Sequence, residues 1–187
     1  SMDAAADALI VVDMQSAFVF GPGAVPSAKA LVTAAHRLLD AARAAGALVV
    51  QLQNDGPPGA PDEVGTDGWT LLFLPAVGEF VLRKTHDDAF VDTRLESVLL
   101  DYGVTTVAIC GVQSEMCVAA TARGAMLRGM SVVLPRDAHA TYPVPADDAG
   151  GIAVPASHVS RVAEWSLGEG ISAPPSSSDV RFRPPPH

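Results

Sequence analysis

Cys117 sits in the segment Gly111-Val112-Gln113-Ser114-Glu115-Met116-Cys117-Val118, directly after the apolar run Thr106-Val107-Ala108-Ile109-Cys110 and at the head of a helical stretch from Cys117 to Arg128. A thiol on the first turn of a helix faces the positive end of the helix dipole, which predicts a lowered pKa and a larger thiolate fraction. Free backbone N–H groups on the same turn can hold a developing oxyanion. A thiolate still needs a proton acceptor and a cation. The apolar run Ala8-Leu9-Ile10-Val11-Val12 stops on Asp13, and Phe80-Val81-Leu82 leads into Arg83-Lys84-Thr85. Apolar runs that end on charged residues are what buried parallel strands look like when their carboxyl ends face a site. Asp13, Lys84 and Cys117 would then meet at one edge of a sheet and form a nucleophile, base and cation set.

The elements that must position them alternate between strand and helix. Strand 8–12 precedes an Ala-rich helix near 27–45 that Gly46 closes. Strand 47–52 follows, then a Gly-, Pro- and acid-rich loop from Gln53 to Gly68. Strand 80–83, a helix near 93–102, strand 105–110, the cysteine helix and strand 130–134 complete the pattern. This alternation predicts a three-layer α/β/α, Rossmann-like fold with a mostly parallel central sheet. The segment 146–165 reads as a last helix, with Pro155 as a kink or a boundary. The chain divides into one domain, 1–171, and a Pro/Ser-rich tail, 172–187, expected to be extended or disordered.

Taken together, Val12-Asp13-Met14-Gln15, the stretch from Lys84 to Ala89-Phe90, the Gly111–Val118 segment and Arg136-Asp137-Ala138 resemble the isochorismatase-like hydrolase family, whose cysteine hydrolases include nicotinamidases and other amidohydrolases. The resemblance covers roughly residues 8 to 165. It implies Cys117 as nucleophile, Asp13 as general base and Lys84 as the cation that orients it. It also implies a cis peptide at Val112–Gln113 and an oxyanion hole from the Gln113 and Cys117 backbone N–H groups. Isochorismatase itself lacks the cysteine, so the implied reaction is C–N bond hydrolysis through a thioester, with no organic cofactor. Metal-dependent nicotinamidases carry an Asp-x-His pair after the second strand. The corresponding stretch, Gln51 to Pro58, has no histidine, and His36, His86, His139, His158 and His187 show no ligand spacing and read as surface or loop residues. No metal is expected.

The resemblance places Phe18, Trp69 and Phe90 around the pocket, where aromatic walls suit a flat or ring-shaped substrate. Asp88 stands where the family more usually has Ser, preceded by His86 and Asp87. The nearby loop adds Asp55, Asp62, Glu63 and Asp67, and Glu115 is close to the cysteine. Each acid alone reads as a solvated loop residue, but together they favour a cation over a carboxylate. A basic amide or lactam is the expected substrate, and a streptothricin-type lactam hydrolase is one candidate. The alternatives are a nicotinamidase-like amidase of a neutral amide, a non-catalytic or redox-sensing thiol protein on the same fold, and a binding or assembly protein whose acidic face and Pro-rich tail recruit a partner.

The net charge of −9 disfavours nucleic acid and anionic membranes as partners. No apolar run approaches membrane length, and Ser1-Met2-Asp3 does not read as a signal peptide. Cys110, inside an apolar strand, is expected to be core, and Asp137 structural. Two cysteines at this spacing suggest no disulfide framework and point to a reducing cytoplasm. The resemblance adds a homodimer or higher homo-oligomer.

Overall fold

The computed structural model describes residues 5–187; the reading of Ser1-Met2-Asp3 lies outside them. Seven strands form one sheet: β1 (Ala8–Val12), β2 (Leu48–Asn54), β3 (Phe80–Lys84), β4 (Thr106–Val112), β5 (Ser131–Val133), β6 (His139–Ala140) and β7 (Ile171–Ser172). Their order is β3-β2-β1-β4-β5-β7, and every pairing is parallel. The short β6 continues the β5 side of β4, pairing Gly111 with His139 and Val112 with Ala140. The helices are α1 (Ser16–Val19), α2 (Ala28–Ala45), α3 (Leu95–Asp101), α4 (Ala119–Leu127) and α5 (Ala156–Ser166).

The pleat explains the three layers. Successive side chains of a strand point to opposite faces, so β1, buried along its whole length, feeds two cores. Ala8, Ile10 and Val12 pack with α3 and α4 residues such as Leu99 and Ala122. Leu9 and Val11 pack with α2 through Leu31, Ala35 and Leu38. On α2, Leu31, Ala35, Leu38 and Ala42 recur at helical spacing and make one buried stripe. The helix ends on Gly46 at φ 71°, whose N–H reaches back to the Ala42 and Arg43 carbonyls. Leu38→Ala would remove one fully buried side chain from that stripe, a loss of about 2–5 kcal/mol.

The structure departs from the sequence-based expectation in residues 146–155 and adds packing contacts to the extended tail. Residues 146–155 are not helical. Asp147 accepts hydrogen bonds from the Ala149 and Gly151 N–H groups, and the side chain thereby closes a turn that competes with helix. Pro155 is the boundary residue before α5, where its missing N–H costs nothing. The tail is mostly extended but not loose. Phe182 bridges to Ala6 in parallel, Arg183 reaches Asp7 at 3.3 Å, and the His187 N–H donates to the Tyr102 carbonyl. Val180 and Phe182 pack against the α2 core. Asp137 accepts from the Ser177 N–H and hydroxyl, so its role here is to tie down the tail.

Candidate active site

Four neighbouring strands, β3-β2-β1-β4, deliver one polar group each to the carboxyl edge of the sheet. Lys84 closes β3, Asn54 closes β2, Asp13 follows β1, and Cys117 stands on a π-helical turn (Ser114–Val118) after β4. The Lys84 ammonium is the hub. It lies 3.1 Å from Asp13 Oδ2, 3.0 Å from Asn54 Oδ1, 3.0 Å from the His86 carbonyl and 3.3 Å from Cys117 Sγ. Its side chain is fully buried.

Local backbone geometry serves this convergence. Asp13 adopts φ 51°, a left-handed conformation that costs most side chains about 1 kcal/mol or more and that Asp tolerates better than most. The chain turns sharply there and the carboxylate stays over the sheet edge. Gly111, at φ 129°, lies so close to β1 that a Cβ would collide with the Val12 carbonyl. The Val112–Gln113 peptide is cis.

The charges set one another. Burial raises the Asp13 carboxyl to about 6, while Lys84 and the Cys117 thiol pull it down and Asp62 adds to the rise. Burial alone would lower the Lys84 pKa, but Asp13 and Cys117 outweigh it and hold the ammonium above its ordinary value. Cys117 departs from expectation: burial first and Asp13 second push its thiol up, and Lys84 only partly opposes them. The expected lowering by the helix end fails because the thiol is desolvated beside a carboxylate. The site therefore rests as ammonium, carboxylate and neutral thiol. Asp13 Oδ1 is buried and has no hydrogen-bond partner, which leaves it open to a proton.

Above this set lies a cavity of about 270 Å³. Asp13, Gln113 and Cys117 line it on the sheet side, Phe18 and Met116 give it apolar walls, and Asp62 and Asp87 give it negative ones. Asp87 Oδ1 is 3.5 Å from Cys117 Sγ. Asp62 is buried and accepts from the Asn54 side chain at 2.7 Å.

Phe18 thus lines the cavity, and three other residues expected there do not. Trp69 stands to one side, its indole N–H donating to Asp55 Oδ1 and its ring under the Arg83 guanidinium at 5.1 Å. Phe90 is core, beneath Arg128 at 4.2 Å. Asp88 accepts from the Phe90 N–H and packs against α4 at Gly124. The strand-to-helix loop carries its carboxylate to the pocket one residue earlier, at Asp87. Of the other acids, Asp55 pairs with Arg83, Glu63 accepts from the Gly59 N–H, and Glu115 accepts from Thr141.

Two residues escaped the sequence reading. Asn54 offered a signal only in hindsight, as the polar residue that ends an apolar strand, whereas Asp62 was already among the loop acids expected to favour a cation. His139 was read as a surface or loop histidine. It is buried on β6, with Nδ1 2.7 Å from Ser114 Oγ and Nε2 2.8 Å from Glu164 Oε1. Among the described residues, no group of three or more His, Cys, Asp or Glu is arranged to hold a metal ion.

Comparison with known proteins agrees with this geometry. The isochorismatase domain family model matches residues 7–162. Two proteins of Streptomyces noursei, each called streptothricin hydrolase, are 55% and 53% identical over 177 and 181 residues. The matches cover 94% and 96% of this chain but 70% and 66% of those longer proteins. A cysteine hydrolase from Pseudomonas syringae pv. phaseolicola superimposes with a TM-score of 0.83 at 26% identity, covering 92% of this chain and 89% of its own.

Proposed function

The chain belongs to the isochorismatase family, and from that premise we propose that it hydrolyses the C–N bond of a small, positively charged amide or lactam through a thioester on Cys117, with a streptothricin-type lactam as the leading substrate. The observation that carries this reading is the contact of buried Lys84 with both Asp13 and Cys117, which line one cavity. The streptothricin hydrolases among its relatives support the substrate class.

The chemistry follows from the resting charges. As substrate enters, Asp13 takes the thiol proton on its free Oδ1, and Lys84 holds the thiolate that forms. The sulfur attacks the carbonyl carbon, and the electron pair moves to the carbonyl oxygen. We assign the backbone N–H groups of Gln113 and Cys117 as the donors to that oxyanion, supported by their residues lining the cavity. Protonated Asp13 gives its proton to the nitrogen as the C–N bond breaks, leaving the thioester. In a lactam the released amine stays on the acyl chain. Water, its proton taken by Asp13, then adds to the thioester and Cys117 leaves as a thiol. The net change is addition of one water.

Substrate charge follows from the cavity walls. Asp62 and Asp87 face it, and Lys84, buried behind Asp13 and Cys117, is already shared among four partners. A cationic group replaces water there at a gain, and a carboxylate meets repulsion. The redox-sensor alternative fits less well, because sensor cysteines are low-pKa thiolates and this thiol is pushed up. We also assign the protein to a reducing cytoplasm, supported by two unpaired cysteines, and to a homo-oligomer, supported by apolar side chains exposed on α5 at Val162 and Trp165. No helix among the described residues is long and apolar enough to cross a membrane.

The test is incubation of the purified protein with a streptothricin-type lactam and a matched amide panel. Mass spectrometry should show products heavier by one water and a transient acyl adduct on Cys117. An unchanged panel and an unmodified Cys117 would overturn the reading.

A further inference from the structure

The nucleophile turn is held from two sides, and only one of them touches the sulfur. Lys84 and Asp87 approach Sγ from the β3 side. On the other side, β6 and α5 grip the first residues of the turn. The Glu164 carboxylate accepts from His139 Nε2 at 2.8 Å, which leaves Nδ1 to pair with the Ser114 hydroxyl at 2.7 Å. The Ser160 hydroxyl on α5 completes the hydrogen bonding of Ser114, 2.9 Å from its Oγ. Two residues on, where side chains return to the same face of an extended segment, Thr141 donates to Glu115 Oε1 at 2.6 Å and sits 3.5 Å from Gln113 Oε1. Three consecutive residues, Gln113, Ser114 and Glu115, are thus tied to His139 and Thr141.

The cost of this arrangement argues for a purpose beyond cohesion. Ser114 is 1% exposed and His139 5%, and a buried His–Glu pair is often no more stabilising than apolar side chains of equal volume. A hydrogen-bonded chain gives directional restraint that apolar packing lacks. The restrained residue, Ser114, directly follows Gln113, whose N–H is assigned to the oxyanion, and precedes Cys117 by one turn. Ser114 itself has no access to substrate, so it does not act as a second nucleophile.

We propose that Ser114, His139 and Glu164 form a positioning relay that fixes the Gln113–Cys117 turn for attack and oxyanion binding; this rests on the C–N hydrolase reading above. Glu164 orients His139 and selects its tautomer, His139 orients Ser114, and Ser114 sets the peptide planes on either side of it. Arg136 and Arg161, each 3.4 Å from Glu164 Oε2, hold the far end of the relay in its charged form.

Two isosteric variants of one residue test this. The Asn side-chain amide overlays imidazole Nδ1, and the Gln amide overlays Nε2. His139→Asn keeps the bond to Ser114, and His139→Gln keeps only the bond to Glu164. The relay predicts that kcat falls about tenfold or more in His139→Gln and in Ser114→Ala, as displaced catalytic groups do. It predicts a much smaller fall in His139→Asn and in the hydroxyl-retaining Ser114→Thr, with KM little changed throughout. The iodoacetamide alkylation rate of Cys117 should hold steady, because Asp13 and Lys84 are untouched. Equal kcat in His139→Asn and His139→Gln, or wild-type kcat in Ser114→Ala, would overturn the relay, and Ser114→Ala decides the matter if neither His139 variant folds. A wild-type protein that hydrolyses no amide and acylates no cysteine refutes the function and the relay together. An active wild type with an equally active Ser114→Ala refutes the relay alone.

Discussion

The two cysteines lie seven residues apart on the same strand and turn, and their surroundings differ in one respect that matters. Cys110 is completely buried in β4, opposite Val11 of β1, and burial alone pushes its thiol up to about 12. Cys117 is also pushed up, and again burial is the largest cause. Desolvation therefore does not distinguish a core thiol from the one proposed as nucleophile. The difference is that Cys117 has an ammonium at 3.3 Å, a carboxylate at 3.5 Å, a second carboxylate with a free oxygen, and an open cavity. On the proposed function, reactivity comes from a proton acceptor and a cation poised for the moment of attack, not from a thiolate present at rest.

The sharpest way to break this comparison is to swap the two losses. Cys117→Ala should lower kcat by about 10⁴-fold or more, the scale seen when a covalent nucleophile is removed, with the thermal midpoint nearly unchanged. Cys110→Ala should leave kcat near wild type and cost about 1–2 kcal/mol, because a small apolar group leaves a small void. Denaturant melts and steady-state kinetics on both variants check this.

Asp13→Asn should lower kcat by about 10²–10⁴-fold, the usual range for a general base. Asn tolerates the positive φ, so the turn survives. The same residue predicts the pH profile. Its pKa is raised from 3.8 to about 6, and only the ionised form accepts the thiol proton. Activity should therefore be low below pH 6, fall about tenfold per unit further down, and level off above it. An ascending limb well below pH 6 instead would mean that Asp13 is not the group that takes the proton.

Lys84→Met should come next in size. The cation opposes the upward shift of Cys117, so its removal should move the midpoint of iodoacetamide alkylation to still higher pH. It also leaves Asp13 buried without its partner, a loss of about 3–5 kcal/mol for a broken buried pair. An unmoved alkylation midpoint in folded Lys84→Met would show that the lysine orients Asp13 only.

The smallest effect concerns selectivity. Asp87→Ser should narrow the preference for cationic over neutral amides by a few-fold, a difference of about 1 kcal/mol for an exposed charge, and added salt should narrow it further. Asp88→Ser should leave that preference alone, because Asp88 caps a turn against α4. If the Asp88 variant changes selectivity and the Asp87 variant does not, the cavity walls have been misassigned.

Much of the scaffold could be read from local pattern. The apolar runs at 8–12, 47–52, 80–83 and 105–110, and the helical spacing of Leu31, Ala35, Leu38 and Ala42, encode a parallel sheet with helices on both faces, because periodicity and burial are properties of adjacent residues. The convergence of Asp13, Lys84 and Cys117 follows from the same logic, since each stands just past a strand and parallel strands end on one edge. Tertiary structure alone decided which carboxylate of the Asp87–Asp88 pair faces the cavity, because that depends on how the loop packs on α4. It alone brought Asn54 to the lysine, set Asp62 against Asn54, and buried His139 between Ser114 and Glu164, residues 25 apart on either side in the chain. The Pro/Ser-rich tail resisted reading for a similar reason: its composition suggests solvent, but Phe182 and Val180 find a core made by other elements. Above all, tertiary structure decided the sign of the Cys117 shift. A helix end is visible in a sequence, whereas desolvation and a neighbouring carboxylate are supplied by residues about a hundred positions away, and at this distance they are the larger energies.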